Sequence, residues 1–470
     1  MVNNMKNLIL LFIFILVTSN GMTQEISGDW HGVLSIQSMK LRISFHIKKD
    51  GDTFTSTMDS PDQGAMGIAT TATEYKNNTL TITMKNMGAE FKGRLNASGL
   101  EGTFSQGGMK IPLLLTQKET AKVEPKSRPQ DPIKPYPYQS QEIFFVNKKA
   151  NNIKLAGTLS LPKNVKNPAV AILISGSGPQ NRDEEVKIFN HRPFLVWSDY
   201  LTRNGIAVLR FDDRGVAQSQ GSQKNATSAD FATDVEAAVD YLLTRNDVID
   251  TTKIGLIGHS EGGLIAPMVA AHNKNIAFIV LLAGPGVDGG KLLLSQTKRA
   301  AQLAGEKPEF IAFNQKISKT AFAMVKKEKD LTKLGKLLTS YLQKVRHEHP
   351  QYADDFSDDK INSQVKSLTS VWLSYFIRTN PQDFLKKVDC PVLAINGSLD
   401  FQVIAEQNLA GIKKSLATAH NKSVTIKKLN GLNHLLQEAQ TGALDEYAKI
   451  EQTVSPIALK EVSNWIKQRF

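Results

Sequence analysis

Residues 253–263 read KIGLIGHSEGG, and the rest of the chain is organised around this stretch. The short apolar run at 254–257 predicts a buried parallel strand, which ends at the glycine-rich turn 258–262. The residues that follow, LIAPMVAA at 264–271, predict an apolar helix. A strand, a sharp turn and a helix would place Ser260 at the tip of a strained turn, with its hydroxyl projecting above the sheet.

The pattern G-x-S-x-G is weak evidence by itself, because a chain of this length contains it by chance about one time in six. Its context makes it informative. Glycine is needed at Gly258 and Gly262 because side chains there would collide as the strand and the helix close on each other. The helix also directs its free N–H groups toward the place where negative charge would develop. Ser260 is therefore a candidate nucleophile, and the alternative is an incidental serine in a glycine-rich turn.

Length and charge bound the class of protein. A chain of 470 residues predicts two folded units, and its 41% hydrophobic and 22% charged residues are ordinary for a soluble protein. The formal net charge is +12, but the lysines are dispersed among acidic residues rather than concentrated in one patch. This distribution favours a solvated basic surface over a nucleic-acid site.

Residues 1–24 have the pattern of a signal peptide. Lys6 precedes the apolar run LILLFIFILV at 8–17, and small residues follow it. The run is too short to cross a bilayer, which requires about twenty apolar residues. We therefore expect an exported protein without a stable membrane span. Cys390 is the only cysteine, so no intrachain disulfide can form, and its strand-like flanks predict a buried apolar role.

The periodicity of the sequence changes three times along the chain. Residues 25–118 show alternating strands and turns, which predict a small all-β meander, sandwich or barrel. Five prolines in 119–139 predict an extended linker. From 140 to 470, strands and helices alternate, which predicts a mostly parallel sheet with helices on both faces. A lysine-rich helical stretch at about 287–385 interrupts this alternation and predicts an inserted cap.

Together these residues resemble the α/β-hydrolase fold over about 141–470. The turn GHSEG at 258–262 is the centre of the resemblance, and ISGSGPQNRD at 174–183 resembles the oxyanion loop of a bacterial esterase subgroup with an added N-terminal domain. The segment RFDDRG at 210–215 is similar to the loop that follows the next strand in many members. One departure is Ser175, where the family often has histidine before the loop glycine.

The resemblance implies a catalytic triad in the order Ser, acid, His. Asp400 follows the apolar run 392–395, and His434 follows the predicted strand 423–429. Both therefore fall at the carboxyl ends of strands, the edge of the sheet at which Ser260 is expected. The sequence predicts Ser260, Asp400 and His434 as nucleophile, orienting acid and base.

Rival residues fit these roles less well. His420 comes before strand 423–429 and so falls at the opposite edge of the sheet. Glu406 is an alternative acid. His259 occupies the variable position of the turn and is expected to shape the turn rather than act as the base.

The predicted chemistry is acyl transfer. His434 would take the proton from Ser260 as it attacks an acyl carbonyl, and the oxyanion would be held by backbone N–H groups. One donor is Glu261, and the resemblance implies Ser177 or Gly176 as the second. A small or medium carboxylic ester is the expected substrate; the same triad serves amides and thioesters, so a serine peptidase or thioesterase is an alternative.

A different class of function is also open: a binding protein whose β-domain recognises a glycan or envelope component beside a degenerate hydrolase. The sequence gives no partner for the β-domain. It contains no metal-ligand spacing and no dinucleotide glycine pattern, so no cofactor is expected.

A group of charged residues near the predicted loops is expected to form a structural network; its members are Arg182, Asp183, Asp212 and Arg214.

Overall fold

The computed structural model describes residues 26–36, 39–63, 65–106, 109–119 and 128–470. The predicted signal peptide and residues 120–127 of the predicted linker lie outside these described residues.

The N-terminal unit is a single antiparallel sheet that closes almost completely on itself. Its nine strands, within the described part of the chain, follow the order β1-β2-β3-β5-β6-β7-β8-β9, with β4 paired to β3. They are β1 (Gly28–Ile36), β2 (Met39–Asp50), β3 (Thr53–Ser60), β4 (Ala65–Ala69), β5 (Ala72–Lys76), β6 (Thr79–Met84), β7 (Ala89–Asn96), β8 (Gly99–Gln106) and β9 (Met109–Leu115). The edges β1 and β9 meet where His31 and Thr116 exchange backbone hydrogen bonds of 2.7 and 2.8 Å. The all-β prediction is confirmed, and of the three predicted forms this sheet comes nearest to a barrel.

The interior of this unit is filled by apolar side chains. The sequence alternates apolar and polar residues, and each strand turns its apolar residues to the same side. Trp30, Phe45 and Phe91 are fully enclosed there, and Phe45 packs on Phe91 with ring centroids 5.7 Å apart.

The second unit contains a mixed, mostly parallel sheet of eight strands in the order β10-β11-β13-β12-β14-β15-β16-β17. These strands are β10 (Gln139–Asn147), β11 (Ile153–Leu161), β12 (Val170–Ile174), β13 (Ala207–Phe211), β14 (Ile254–His259), β15 (Ile276–Leu282), β16 (Val392–Gly397) and β17 (Val424–Leu429). Strand β11 runs antiparallel to both of its neighbours, β10 and β13, and all the other neighbouring strands are parallel. The carboxyl ends of the parallel strands therefore share one edge, as the sequence predicted.

Helices cover both faces of this sheet. The α-helices are α1 (Pro193–Arg203), α2 (Ser228–Leu243), α3 (Gly262–Ala270), α4 (Gly289–Leu303), α5 (Pro308–Lys327), α6 (Leu331–Glu348), α7 (Asp358–Leu368), α8 (Val371–Arg378), α9 (Gln382–Leu385), α10 (Ala405–Thr418), α11 (Leu444–Tyr447) and α12 (Pro456–Lys467). Short 3-10 helices occupy Pro61–Gln63, Lys85–Met87, Lys187–Phe189 and Pro350–Phe356. Among the described helices, none is long and apolar enough to cross a membrane.

The two faces form two separate cores. Along β12 the side chains alternate between them: Ile172 packs with α2, α3 and α10, whereas Leu173 packs with α1 and α12. Such strands are apolar along their whole length because both of their faces are buried.

The predicted helical insertion is present as α4 to α9, between β15 and β16. It has its own small cores, for example around Leu334 and Leu338 of α6. The predicted α/β-hydrolase architecture with a helical cap, preceded by a small all-β domain, is confirmed.

Candidate active site

Ser260 lies at the tip of the turn between β14 and α3. Its φ of 51° is in the left-handed region, which residues with a side chain rarely adopt, and its backbone N–H donates to the carbonyl of Leu282 over 2.9 Å. A Cβ at Gly258 would lie 2.0 Å from the carbonyl oxygen of Gly262, and a Cβ at Gly262 would lie 2.1 Å from that of Ile174. Only glycine fits at these two positions, so the turn can form only with this sequence pattern.

His434 and Asp400 are brought together from the loops after β17 and β16. The Nδ1 of His434 lies 2.8 Å from Oδ2 of Asp400, and both side chains are buried. Because a carboxylate only accepts, Nδ1 carries a hydrogen, and in the neutral ring the lone pair is then on Nε2. The other oxygen of Asp400 accepts the backbone N–H groups of Gln402 and Val403 at 2.8 and 2.9 Å, which fixes the carboxylate.

The loop after β12 approaches Ser260 closely. A Cβ at Gly176 would lie 3.2 Å from Cβ of Ser260, so this approach depends on glycine. The N–H of Gly176 donates to Oε1 of Glu184 over 2.8 Å. This hydrogen bond counts against Gly176 as the second oxyanion donor and leaves Ser177, with Glu261, as the better candidates.

The buried carboxyl group of Asp213 accepts two hydrogen bonds from the same loop. Ser175, where the family often has histidine, donates its hydroxyl to Oδ1 of Asp213 over 2.8 Å. The backbone N–H of Gln180 donates to Oδ2 of Asp213 over 3.0 Å. Burial raises the pKa of Asp213 to about 7. The departure from the family pattern is therefore accommodated by a hydrogen bond that anchors the loop.

The side chain of Glu261, the residue after Ser260, is buried. Its Oε1 accepts the hydroxyl of Ser228 at 2.6 Å and Nε1–H of Trp372 at 2.9 Å. Trp372 belongs to α8, so this contact joins the cap to the turn that carries Ser260. Sequence reasoning missed it because Glu261 was considered only for its backbone N–H, and the local pattern does not point to a residue 111 positions away.

His259 was expected only to shape the turn, but it joins two loops. Its Nδ1 lies 2.8 Å from Oε1 of Glu184, and its Nε2 lies 3.1 Å from the backbone carbonyl oxygen of His434. The rings of His259 and His434 are 4.9 Å apart between centroids. Burial opposes protonation of His259, but the charge and the hydrogen bond of Glu184 outweigh it, so the pKa of His259 is raised.

The remaining predicted residues lie away from this cluster. Glu406, the alternative acid, is exposed and pairs with Lys428 over 2.8 Å. His420 is exposed just beyond the end of α10, before β17. Burial raises the pKa of the Cys390 thiol to about 12, which makes this thiol a poor nucleophile. In the described parts of the chain, no group of three or more His, Cys, Asp and Glu side chains could hold a metal ion.

The charged residues near the loops form ion pairs. Arg182 bonds Asp212 over 2.8 Å and also contacts Glu142, and Arg214 bonds Asp234 over 2.7 Å. These pairs connect the loop after β12 to β10 and to the loop after β13, and the loop after β13 to α2.

The sheet order, the serine turn and the histidine–aspartate pair define an α/β-hydrolase. The chain belongs to the serine aminopeptidase, S33, family (Hydrolase_4), whose model matches residues 194–439, just over half of the chain.

Similar proteins include esterases. Esterase EstD of Thermotoga maritima is 24% identical over 316 residues, which are 66% of this chain, and the chain spans only 65% of the length of EstD. The solved esterase Pf2001 of Pyrococcus furiosus is 16% identical, with 70% of this chain and 91% of that chain covered and a TM-score of 0.43. Est1E of Butyrivibrio proteoclasticus, solved with ferulic acid bound, is 18% identical, with 69% and 96% covered and a TM-score of 0.39.

Proposed function

We propose that the protein is a serine carboxylesterase in which Ser260 is the nucleophile, His434 the base and Asp400 the orienting acid. The observation that carries the proposal is the buried hydrogen bond of 2.8 Å between His434 and Asp400, at the edge of the sheet that also bears the strained serine turn. The proposal is supported by the similar protein EstD, which is named an esterase.

In the first half of the reaction, Nε2 of His434 accepts the hydroxyl proton of Ser260 while the oxygen attacks the ester carbonyl carbon. The carbonyl oxygen becomes an oxyanion, which the N–H groups of Glu261 and Ser177 stabilise by roughly 3–4 kcal/mol each. The C–O bond to the alcohol then breaks, and His434 returns its proton to the departing alkoxide. Asp400 stabilises the imidazolium during this sequence.

In the second half, water attacks the acyl-enzyme. His434 removes a proton from the water, the oxyanion forms again, and the bond to Ser260 breaks as its oxygen regains a proton. The products are a carboxylic acid and an alcohol, and no cofactor takes part in either half.

A second candidate, an aminopeptidase, is favoured by the description of the family. An aminopeptidase must hold the ammonium group of its substrate, and a buried ammonium needs an anionic partner. Two buried carboxylates flank the turn, but Glu184 is bonded to His259 and Gly176, and Glu261 is bonded to Ser228 and Trp372. Because Oε1 of each carboxylate already accepts two hydrogen bonds within the protein, we favour the ester over the peptide as substrate.

The test is hydrolysis of p-nitrophenyl esters of increasing acyl length, measured beside aminoacyl p-nitroanilides and acyl thioesters. We expect turnover of the short and medium esters, and at most slow turnover of the other two classes. Faster hydrolysis of the anilides than of every ester would instead identify a peptidase. Failure of a folded enzyme to hydrolyse any of the three classes would contradict the proposal.

We expect the cap to set the size of the acyl chain through Trp372. Its indole donates to Glu261, the residue after Ser260, and stacks on Phe376 at 5.7 Å, so we expect it to line the acyl pocket. Trp372→Ala should move the preferred acyl chain toward longer esters and lower kcat/KM for the shortest by about tenfold. Trp372→Phe, which keeps the ring, should retain most of the original preference.

The matched control for Trp372→Ala is Phe310→Leu, a change of another aromatic residue of the cap that contacts Tyr352. It should leave the order of preference unchanged. An unchanged order in Trp372→Ala as well would remove Trp372 from the substrate pocket.

We also propose export. The support is the sequence of residues 1–24, in which Lys6 precedes the apolar run 8–17. Determining the N-terminus of the protein recovered outside the cytoplasm tests this proposal, which an uncleaved cytoplasmic chain would contradict.

A further inference from the structure

Glu184 and His259 form a buried pair at the junction of three active-site loops. Glu184 follows the oxyanion loop, and His259 is the last residue of β14, directly before Ser260. The pair is 5% and 8% exposed, respectively. Glu184 also has a φ of 51°, a strained value for a residue with a long side chain, which the surrounding contacts must hold.

The hydrogen bonds of His259 define its protonation. Its Nε2 faces the backbone carbonyl oxygen of His434 at 3.1 Å, and a carbonyl can only accept. Its Nδ1 faces Oε1 of Glu184 at 2.8 Å, and that oxygen also accepts the N–H of Gly176. Against an ionised Glu184 both ring nitrogens face acceptors, an arrangement that a ring with hydrogen on both nitrogens satisfies and a neutral ring does not.

The charged and titratable groups around this ring are consistent with a positive charge. Glu184 faces the ring from the end of the oxyanion loop. Asp400, on the loop after β16, lies beyond the ring of His434, which is on the loop after β17. His191, before α1, is also near, but burial lowers the pKa of His191 to about 4, so its ring is neutral and adds no repulsion.

We propose that His259 is a positioning residue: as an imidazolium paired with Glu184, it joins the oxyanion loop, the serine turn and the backbone of His434 into one unit. The Glu184 carboxylate accepts hydrogen bonds from the N–H of Gly176 and from Nδ1 of His259. The His259 ring in turn donates through Nε2 to the backbone carbonyl of His434, in the loop that carries the proposed base. This inference rests on the proposed hydrolase function for its kinetic consequence, but not for the protonation state itself.

The first test is nitrogen-15 NMR of protein labelled at histidine, with His259→Gln used to assign the signal. We expect a ring with two protonated nitrogens at pH 7 that is absent from the variant. A neutral tautomer of His259 at pH 7 would overturn the proposal. If the variant folds poorly, sequential assignment of the wild-type spectrum identifies the His259 ring instead, so the test still decides the question.

The second test separates kcat from KM. His259→Gln should lower kcat for a short p-nitrophenyl ester about 100-fold, because misplacing reacting groups by about 1 Å has this effect, while KM changes less than about threefold. Glu184→Gln should lower kcat by about tenfold. The matched control is His272→Gln, which removes an exposed histidine that bonds Glu236, and it should change neither constant.

The third test is the pH dependence of thermal unfolding. The raised pKa of His259 means that its contribution to stability is fully present below the pKa of the unfolded chain, about 6.5, and is lost as the pH rises through the higher folded value. The difference in Tm between wild type and His259→Gln should therefore shrink as the pH is raised from 6 to 10. A difference that is constant with pH would overturn the proposal.

Because neither NMR nor Tm requires turnover, an inactive wild type with a protonated His259 would contradict the hydrolase function and leave this inference standing.

Discussion

Ser260→Ala is expected to lower turnover of a short ester by on the order of 10⁴-fold or more while the chain still folds. The substitution removes the only atom that can form the acyl-enzyme, so the remaining rate comes from substrate binding and the oxyanion donors alone. Alanine meets a strain similar to that of serine at the φ of 51°, so the turn should persist. Steady-state kinetics and thermal unfolding of the purified variant measure the two effects.

Ser415→Ala is the matched control for this experiment. Ser415 is a buried serine that donates to the carbonyl of Gly411 within α10 rather than facing the site. Its loss should reduce stability by about 1 kcal/mol and leave turnover unchanged. Hydrolysis near the wild-type rate in Ser260→Ala would overturn the whole mechanism, including the roles of His434 and Asp400.

The fold and the three residues of the proposed triad could be predicted from the sequence because each depends on local signals. An apolar run of four to seven residues followed by glycine and polar residues indicates the carboxyl end of a buried strand. Ser260 and Asp400 each follow such a run, whereas His434 follows the partly exposed edge strand β17, which contains two lysines. Parallel strands bring all three carboxyl ends to one edge. The sheet order and the hydrogen bond between His434 and Asp400 fit that reasoning.

The contacts that support the triad could not be predicted in the same way. Glu184 lies in a loop without periodicity, and its partner His259 is 75 residues away in sequence. Trp372 reaches Glu261 only because the cap folds back over the turn. A buried carboxylate is recognised by its burial and its donors, and neither is visible until the chain is folded. The choice between Gly176 and Ser177 depended on such a contact.

The near closure of the N-terminal sheet shows the same limit. Alternation in the sequence predicted the strands and their inward faces, because these follow from a period of two. The joining of His31 to Thr116, which brings the first and last strands together, depends on the twist summed over the whole sheet. A meander, a sandwich and a barrel therefore remained equal alternatives before the structure.

Asp400→Asn is the second large effect that we expect, a loss of about 10⁴-fold in kcat with little change in the fold. The oxygen that accepts the N–H groups of Gln402 and Val403 would be kept, so the loop should hold its shape. The amide NH₂, however, would face Nδ1 of His434, which now lies 2.8 Å from a carboxylate oxygen. Nδ1 would have to accept, the hydrogen would move to Nε2, and His434 could no longer take the proton of Ser260.

Glu406→Gln is the control for this prediction, because Glu406 was the alternative acid in the sequence and the exchange also replaces one carboxylate by its amide. Glu406 is exposed and pairs with Lys428, so its loss should change kcat by less than about twofold. If Glu406→Gln were the more damaging variant, the acid of the triad would have to be reassigned. If both variants kept wild-type turnover, His434 would not depend on a carboxylate for its tautomer. The predicted contrast between the two variants thus tests the orienting role of Asp400 separately from the nucleophile.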